Sequence, residues 1–112
     1  MSDNTYIVVP AYNEETVIRS TVEGLLSSFS NVIVVNDGSS DNTRAALQGL
    51  DVCLINHLIN IGQGAALQTG ITHALDSGAD IIVTFDADGQ HQVTDANAMI
   101  ERIRQDDCDV LL

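Results

Sequence analysis

The chain has 112 residues, of which 45% are hydrophobic and 18% are charged, so it is long enough for one domain with a buried core and lacks the composition of a disordered segment. Its 16 acidic residues, 4 Arg and no Lys give a net charge of −12, which argues against binding to nucleic-acid phosphates or to an anionic membrane surface. The N-terminus lacks a basic start, and no apolar run approaches the ~18 residues of a spanning helix, so we expect neither a signal peptide nor a membrane span.

Short apolar runs rich in β-branched residues predict four strands, over residues 5–9, 32–35, 52–55 and 81–85. Apolar and polar residues do not alternate in these runs, which is typical of strands that are buried on both faces of a parallel sheet. Residues 109–112 look like the start of a fifth strand. Because the chain stops there, we expect a fragment of a larger domain, with an open sheet edge that favours self-association.

Helical spacing between the strands predicts helices over about 14–28, from 41 or 42 through 47, over 64–75 and over 94–105. Asn13 is the expected N-cap of the first helix, and the four Arg fall within predicted helices. Alternating strands and helices form right-handed βαβ units. We therefore predict an α/β protein with three αβα layers and a mostly parallel, Rossmann-like sheet.

Cys53 and Cys108 form neither a CxxC pair nor a metal-ligand cluster. This arrangement predicts buried, reduced thiols in a cytoplasmic protein. Of the histidines, His57 and His73 are interpreted as structural, and the role of His91 is left open.

Acidic residues follow the predicted strands, at the sheet edge where open parallel sheets bind ligands. Asp86 and Asp88 follow the fourth strand two positions apart, so both carboxylates can face one point. Two adjacent carboxylates repel unless a cation lies between them, and oxygen ligands favour Mg²⁺ or Mn²⁺. Gln90 or His91 could add a ligand. The alternative is a solvated turn in which Asp acts as a cap.

Two further loops contain residues that are suited to contact a ligand. Asp37 follows the second strand, where its carboxylate needs hydrogen-bond donors such as a ribose hydroxyl or a base N–H, although the 37–41 stretch also suits a plain turn and helix cap. Gly62 and Gly64, in the segment NIGQG, suit a turn at which a phosphate or sugar approaches backbone N–H groups. A full GxGxxG is absent, and this loop follows the third strand, which argues against a dinucleotide site. Tyr12, after the first strand, could stack on a base or simply pack.

The segments IVVPAYNEE, VIVVNDGSSDNT, NIGQGAALQTGI and FDADGQH, in this order, resemble the N-terminal half of family 2 glycosyltransferases of the GT-A fold. The DADGQH stretch and the NxGxG loop are most similar to those of the polyprenol-phosphate sugar transferases, which use dolichol or undecaprenol phosphate. The resemblance covers residues 5–112. It implies that residues 1–112 are the nucleotide-sugar-binding half of a truncated GT-A domain whose acceptor half is absent.

The resemblance also implies roles for residues after the first three strands. The nucleobase and ribose pocket would be lined by Pro10, Ala11, Tyr12 and Glu14. Asp37 would hydrogen-bond the base or the ribose, and Gly62 and Gly64 would shape the pocket beside the donor.

After the fourth strand, the resemblance makes Asp86 and Asp88 the DxD pair and the expected catalytic residues. This pair would bind the ribose and the metal-bridged diphosphate, with Gln90 as a further ligand of Mg²⁺ or Mn²⁺. One departure matters: many relatives carry Lys in the NxGxG loop where this chain has Gln63, so this protein would depend more strongly on the metal for neutralising phosphate.

The implied activity is inverting sugar transfer from a UDP- or GDP-linked donor to an acceptor, with polyprenyl phosphate as the acceptor of this branch. The full-length protein would then act at the cytoplasmic membrane face, and the 112 residues alone are expected to transfer no sugar. The main alternative is a non-catalytic nucleotide-binding module. A sugar nucleotidyltransferase is less favoured, because residues 10–13 contain neither the glycine nor the basic residue of its phosphate loop.

Overall fold

We describe a computed structural model in which residues 4–87 and 110–111 are placed. The elements, in chain order, are β1 (Thr5–Ala11), α1 (Ile18–Leu26), β2 (Val32–Asp37), α2 (Thr43–Ala46), β3 (Cys53–His57), α3 (Gln63–Asp76), β4 (Ile81–Thr84) and β5 (Val110–Leu111). The predicted helix over 94–105 lies outside the described residues, as do the predicted ligands Asp88 and Gln90 and the residues His91 and Cys108.

The strands form one parallel sheet in the order β3-β2-β1-β4-β5. This arrangement confirms the predicted α/β class and the start of a fifth strand. From β1 the chain adds β2 and β3 on one side, and then crosses back to place β4 on the other side. The gap between β1 and β4 is therefore a topological switch point, where parallel sheets of this kind bind ligands at the carboxyl ends of their strands.

Helices cover both faces of the sheet, as predicted. On one face, α1 buries Ile18, Val22 and Leu25 against the sheet, with Leu47 beside them. On the other face, α3 lies on a second cluster that includes Ala66, Ala74, Val8, Val35 and Ile82. The central strands β1 and β2 separate the two clusters, which explains their unbroken apolar sequence.

The prediction that all strands are buried on both faces was wrong for β3. This strand lies at the sheet edge and its residues are exposed or half-buried, because only β2 flanks it. Cys53, its first residue, is an exposed free thiol, so the prediction of a buried thiol was wrong for this cysteine.

The first helix begins later than predicted, and Asn13 is not its N-cap. Asn13 has φ 53°, a left-handed conformation that cannot lead directly into a right-handed helix. The backbone N–H groups of Val17 and Ile18 donate to the carbonyl of Glu14, and the regular helix starts at Ile18. The Asn13 side chain instead accepts a hydrogen bond from the N–H of Ser40, at 2.8 Å. In the part of the chain that the structure describes, no helix is long and apolar enough to cross a bilayer.

Candidate functional site

A cavity of about 460 Å³ opens at the carboxyl ends of the strands, beside the switch point between β1 and β4. Four separate segments of the chain contribute to its wall, one at or after the carboxyl end of each of the first four strands. The lining residues are Pro10, Ala11, Tyr12, Glu14, Asp37, Asn60, Gly62, Gln63, Ala66, Asp86 and Ala87. The volume lies within the range of small-molecule sites in proteins.

Most of the predicted site residues meet in this cavity. Seven of them line it: Pro10, Ala11, Tyr12, Glu14, Asp37, Gly62 and Asp86. Gly64 is in the first turn of α3 and does not line the cavity. Sequence reasoning did not single out Asn60, Ala66 or Ala87 as site residues. Asn60 could have been found, because it opens the same NxGxG segment that supplied the glycines.

Asp37 is the last residue of β2 and is 2% exposed. Its Oδ1 accepts hydrogen bonds from Nδ1 of His57 at 2.8 Å and from the N–H of Ile61 at 3.0 Å. Its Oδ2 accepts from Nδ2 of Asn60 at 2.9 Å and from the N–H of Gly62 at 2.8 Å. A carboxylate offers about four acceptor positions, so these four donors from within the protein occupy all the acceptor positions of Asp37.

These contacts keep Asp37 ionised. Burial by itself would raise the pKa of the Asp37 carboxyl, but the hydrogen bond from His57 and those from the backbone of Ile61 and Gly62 outweigh it and lower the pKa below 3.8. An ionised carboxylate is therefore part of the cavity wall at neutral pH.

The turn after β2 also holds the loop after β1. The Asn13 N–H donates to the Ser39 hydroxyl at 3.0 Å, and the Glu14 N–H donates to the buried Thr43 hydroxyl at 2.9 Å. Asp41 accepts the N–H of Thr43 at 2.9 Å and that of Glu15 at 3.3 Å. The polar residues of NDGSSDNT thus position the segment that supplies Tyr12 and Glu14 to the cavity.

The cavity is acidic. Glu14, Asp37 and Asp86 line it, and no Lys, Arg or His is among its described lining residues. The two arginines in the described part of the chain, Arg19 and Arg44, lie on α1 and α2. The Arg19 guanidinium donates to the carbonyls of Ala46 and Gln48, at 3.1 and 2.9 Å. A bound anion would therefore need a cation from outside these residues.

Within residues 4–87 and 110–111 no group of three or more His, Cys, Asp or Glu side chains is arranged to hold a metal ion. Of the predicted metal ligands only Asp86 falls in the described part, at the cavity wall after β4. Its carboxylate is of the chemical type that Mg²⁺ and Mn²⁺ accept, so this one residue has the chemistry of an oxygen ligand.

The fold and the cavity together define a doubly wound α/β domain with an acidic cavity at its switch point. The fold is that of GT-A glycosyltransferases. Glucosyl-3-phosphoglycerate synthase from Mycobacterium tuberculosis, solved in complex with Mn²⁺, UDP and glucosyl-3-phosphoglycerate, superposes with a TM-score of 0.73 at 22% identity. The match covers 88% of this chain and 39% of the synthase.

The sequence model of glycosyl transferase family 2 matches residues 6–112, and the chain belongs to this family. Similar curated proteins include the UDP-N-acetylglucosamine–dolichyl-phosphate N-acetylglucosaminyltransferase of Methanococcus voltae, 40% identical over 119 residues. The undecaprenyl-phosphate mannosyltransferase of Micrococcus luteus is 32% identical over 108 residues. The resemblance to the polyprenol-phosphate branch is thereby confirmed.

The chain spans less than half the length of these relatives. The matches cover 90% of this chain but 47% of the Methanococcus protein, and 89% of this chain but 44% of the Micrococcus protein.

Proposed function

We propose that this chain is the donor-binding part of a glycosyltransferase that moves a sugar, with inversion, from a nucleoside diphosphate sugar to a polyprenyl phosphate. The observation that carries the proposal is the position and charge of the cavity. It lies at the switch point and is lined by residues of the four motif segments, three of them acidic. The names of the polyprenyl-phosphate relatives support the acceptor class.

The nucleoside would bind on the β1 side of the cavity. Tyr12 is 46% exposed and lines the cavity, so we assign its ring to stacking on the base. Glu14 lies beside it and would accept hydrogen bonds from ribose hydroxyls. The acceptor positions of Asp37 are filled, so a base or ribose donor would contact this carboxylate only by replacing one of its present partners.

The diphosphate would lie towards Asp86, where Asp86, Asp88 and Gln90 would hold a Mg²⁺ or Mn²⁺ ion. When bound, this ion would supply the positive charge that a diphosphate needs in an acidic cavity and would stabilise the charge that builds on the leaving group. Gln63 lines the cavity and can donate a neutral hydrogen bond to a phosphate oxygen. A polyprenyl phosphate acceptor is already ionised at neutral pH, so attack on the anomeric carbon would need little help from a general base.

Titration calorimetry with UDP and with GDP, in Mn²⁺, in Mg²⁺ and in EDTA, tests the donor site. We expect one of the two nucleotides to bind, with an affinity at least about tenfold higher in the presence of the metal ion than in EDTA. Equal affinity in EDTA would remove the metal from the proposal. Failure of both nucleotides to bind would remove the donor site itself.

A second experiment separates a transferase from a non-catalytic nucleotide-binding module. The full-length protein would be incubated with UDP- or GDP-sugars and a short polyprenyl phosphate, and the release of nucleoside diphosphate would be measured. Release that depends on the acceptor supports the transferase, whereas nucleotide binding without such release supports the module.

A further inference from the structure

The loop of residues 60–62 contributes Asn60 and Gly62 to one wall of the cavity and is held in place by Asp37. Three of the four donors to the Asp37 carboxylate belong to this loop: the Asn60 side chain and the backbone N–H groups of Ile61 and Gly62. Nδ2 of Asn60 also donates to the Asp37 carbonyl, at 3.1 Å. The position of the wall therefore depends on the orientation of one buried carboxylate.

The fourth donor, His57, comes from the sheet and not from this loop. Asp37 and His57 end the adjacent strands β2 and β3 and are directly paired in the sheet register. Their side chains are 3% and 11% exposed, and Nδ1 of His57 is 2.8 Å from Oδ1 of Asp37. Of the four donors, His57 is thus the one that can fix the carboxylate independently of the loop.

The second ring nitrogen of His57 is anchored to α3. Nε2 lies 2.9 Å from the Thr69 hydroxyl, which is 3.0 Å from the carbonyl of Ala65. An ionised carboxylate only accepts hydrogen bonds, so Nδ1 must carry a proton. The Thr69 hydroxyl has a single proton, which it donates either to the Ala65 carbonyl, while accepting a hydrogen bond from Nε2–H, or to Nε2 itself. In both cases Nδ1 keeps its proton.

We propose that His57 is a positioning residue for nucleotide binding, which locks the Asp37 carboxylate through Nδ1–H and thereby holds the 60–62 wall of the donor cavity. This inference rests on the proposed function for its effect on the nucleotide. Without the Nδ1 donor, Oδ1 of Asp37 would be buried with one acceptor position unfilled, and the carboxylate would be held only by donors of the loop itself. The loop would then lose its hydrogen-bonded connection to the side chain of β3.

Two substitutions separate this role from general packing. In His57→Asn, the amide nitrogen is attached to Cγ, as Nδ1 is in histidine, so the donor to Asp37 is kept. In His57→Gln, the amide is one carbon further out, near the position of Nε2, and the donor to Asp37 is lost. Asn is smaller than Gln and leaves more of the volume of the histidine ring empty. If His57 acted only through packing, His57→Asn would therefore lose more nucleotide affinity than His57→Gln.

The full chain and both variants would be titrated with UDP or GDP in Mn²⁺, and hydrogen exchange would be measured at the amides of Ile61 and Gly62 without nucleotide. We expect His57→Asn to stay within about threefold of the parent affinity and His57→Gln to lose about tenfold or more. Exchange at both amides should accelerate in the Gln variant only. Parent-like affinity and exchange in His57→Gln, or equal losses in both variants, would overturn the proposal.

The amide measurement keeps this inference separate from the proposed function, since it needs no ligand. If the parent chain binds neither nucleotide, the donor-site proposal fails, and hydrogen exchange still decides whether His57 holds the loop. If the variants do not fold, nitrogen NMR of His57 in the parent chain decides. A protonated Nδ1 supports the inference, and an unprotonated Nδ1 overturns it.

Discussion

A Cβ atom added to Gly38 would lie 2.3 Å from the backbone nitrogen of Asn60. The turn after β2 and the loop after β3 are therefore in contact through their main chains. Asp37, whose carboxylate accepts hydrogen bonds from the loop after β3, directly precedes Gly38. Gly38 also has φ +66°, so this glycine is required both for its conformation and for the space it leaves. The NDG segment is thus a support for the cavity wall.

Gly38→Ala should lower the free energy of unfolding more than an ordinary substitution at a positive-φ glycine. Gly49→Ala is the matched control, because Gly49 has φ +86° but no atom within 4 Å of an added Cβ. We expect Gly49→Ala to cost about 1–2 kcal/mol from strain alone. Gly38→Ala should cost about 1–3 kcal/mol more, because a rigid backbone blocks the methyl group. Urea denaturation measures both, and equal losses would contradict the close approach.

Gly70→Ala should destabilise the protein, although alanine is the better helix former. An added Cβ would lie 2.3 Å from Cγ1 of the buried Val8, so either the Val8 side chain or α3 would have to move. We expect a loss of about 1–3 kcal/mol in the free energy of unfolding. Gly64→Ala, on the same helix with open space around it, should be neutral or should stabilise by up to about 1 kcal/mol. If thermal denaturation shows Gly70→Ala to be at least as stable as Gly64→Ala, α3 packs less closely on Val8 than this distance indicates.

Acid should destabilise the fold through Asp37. Its pKa is lower in the folded state than the ordinary 3.8, so the folded state binds fewer protons than the unfolded state in this range. The stabilisation that the ionised Asp37 gives is fully present at pH values above the pKa of this carboxyl in the unfolded chain. It is lost as the pH falls below 3.8 and through the lower pKa of the folded state. The free energy of unfolding, measured against pH, should fall less steeply in that window for Asp37→Asn. The control Asp51→Asn removes an equal charge at an exposed position, and the same change of slope in that variant would contradict a specific role of Asp37.

Asp88→Asn should weaken the metal-dependent part of nucleotide affinity and leave the affinity in EDTA nearly unchanged. The reason is that an amide oxygen is a poorer ligand for a divalent cation than a carboxylate. We expect a loss of about tenfold or more in Mn²⁺ by calorimetry. Asp76→Asn removes the same charge at the exposed end of α3, and should show no such loss. A metal effect that survives in Asp88→Asn would exclude Asp88 as a ligand.

The sequence by itself determined the α/β class and the edge of the sheet at which polar residues gather. Runs such as 32–35 are apolar throughout because both of their faces are covered, and this requirement is visible locally. The segments after β1, β2 and β4 could be assigned to one site because parallel strands bring their carboxyl ends to the same edge.

The tertiary structure decided what each polar residue contacts. Asn13 reads locally as a helix cap, but its partner is Ser40, on a different loop. The apolar run of β3 does not reveal that this strand lies at the edge, because the order of strands along the chain differs from their order in the sheet. His57 is 20 residues from Asp37 in sequence, and only the pairing of β2 with β3 brings its ring to that carboxylate. Contacts of this kind depend on strand order and register, which are set by the packing of the whole domain and not by any one segment.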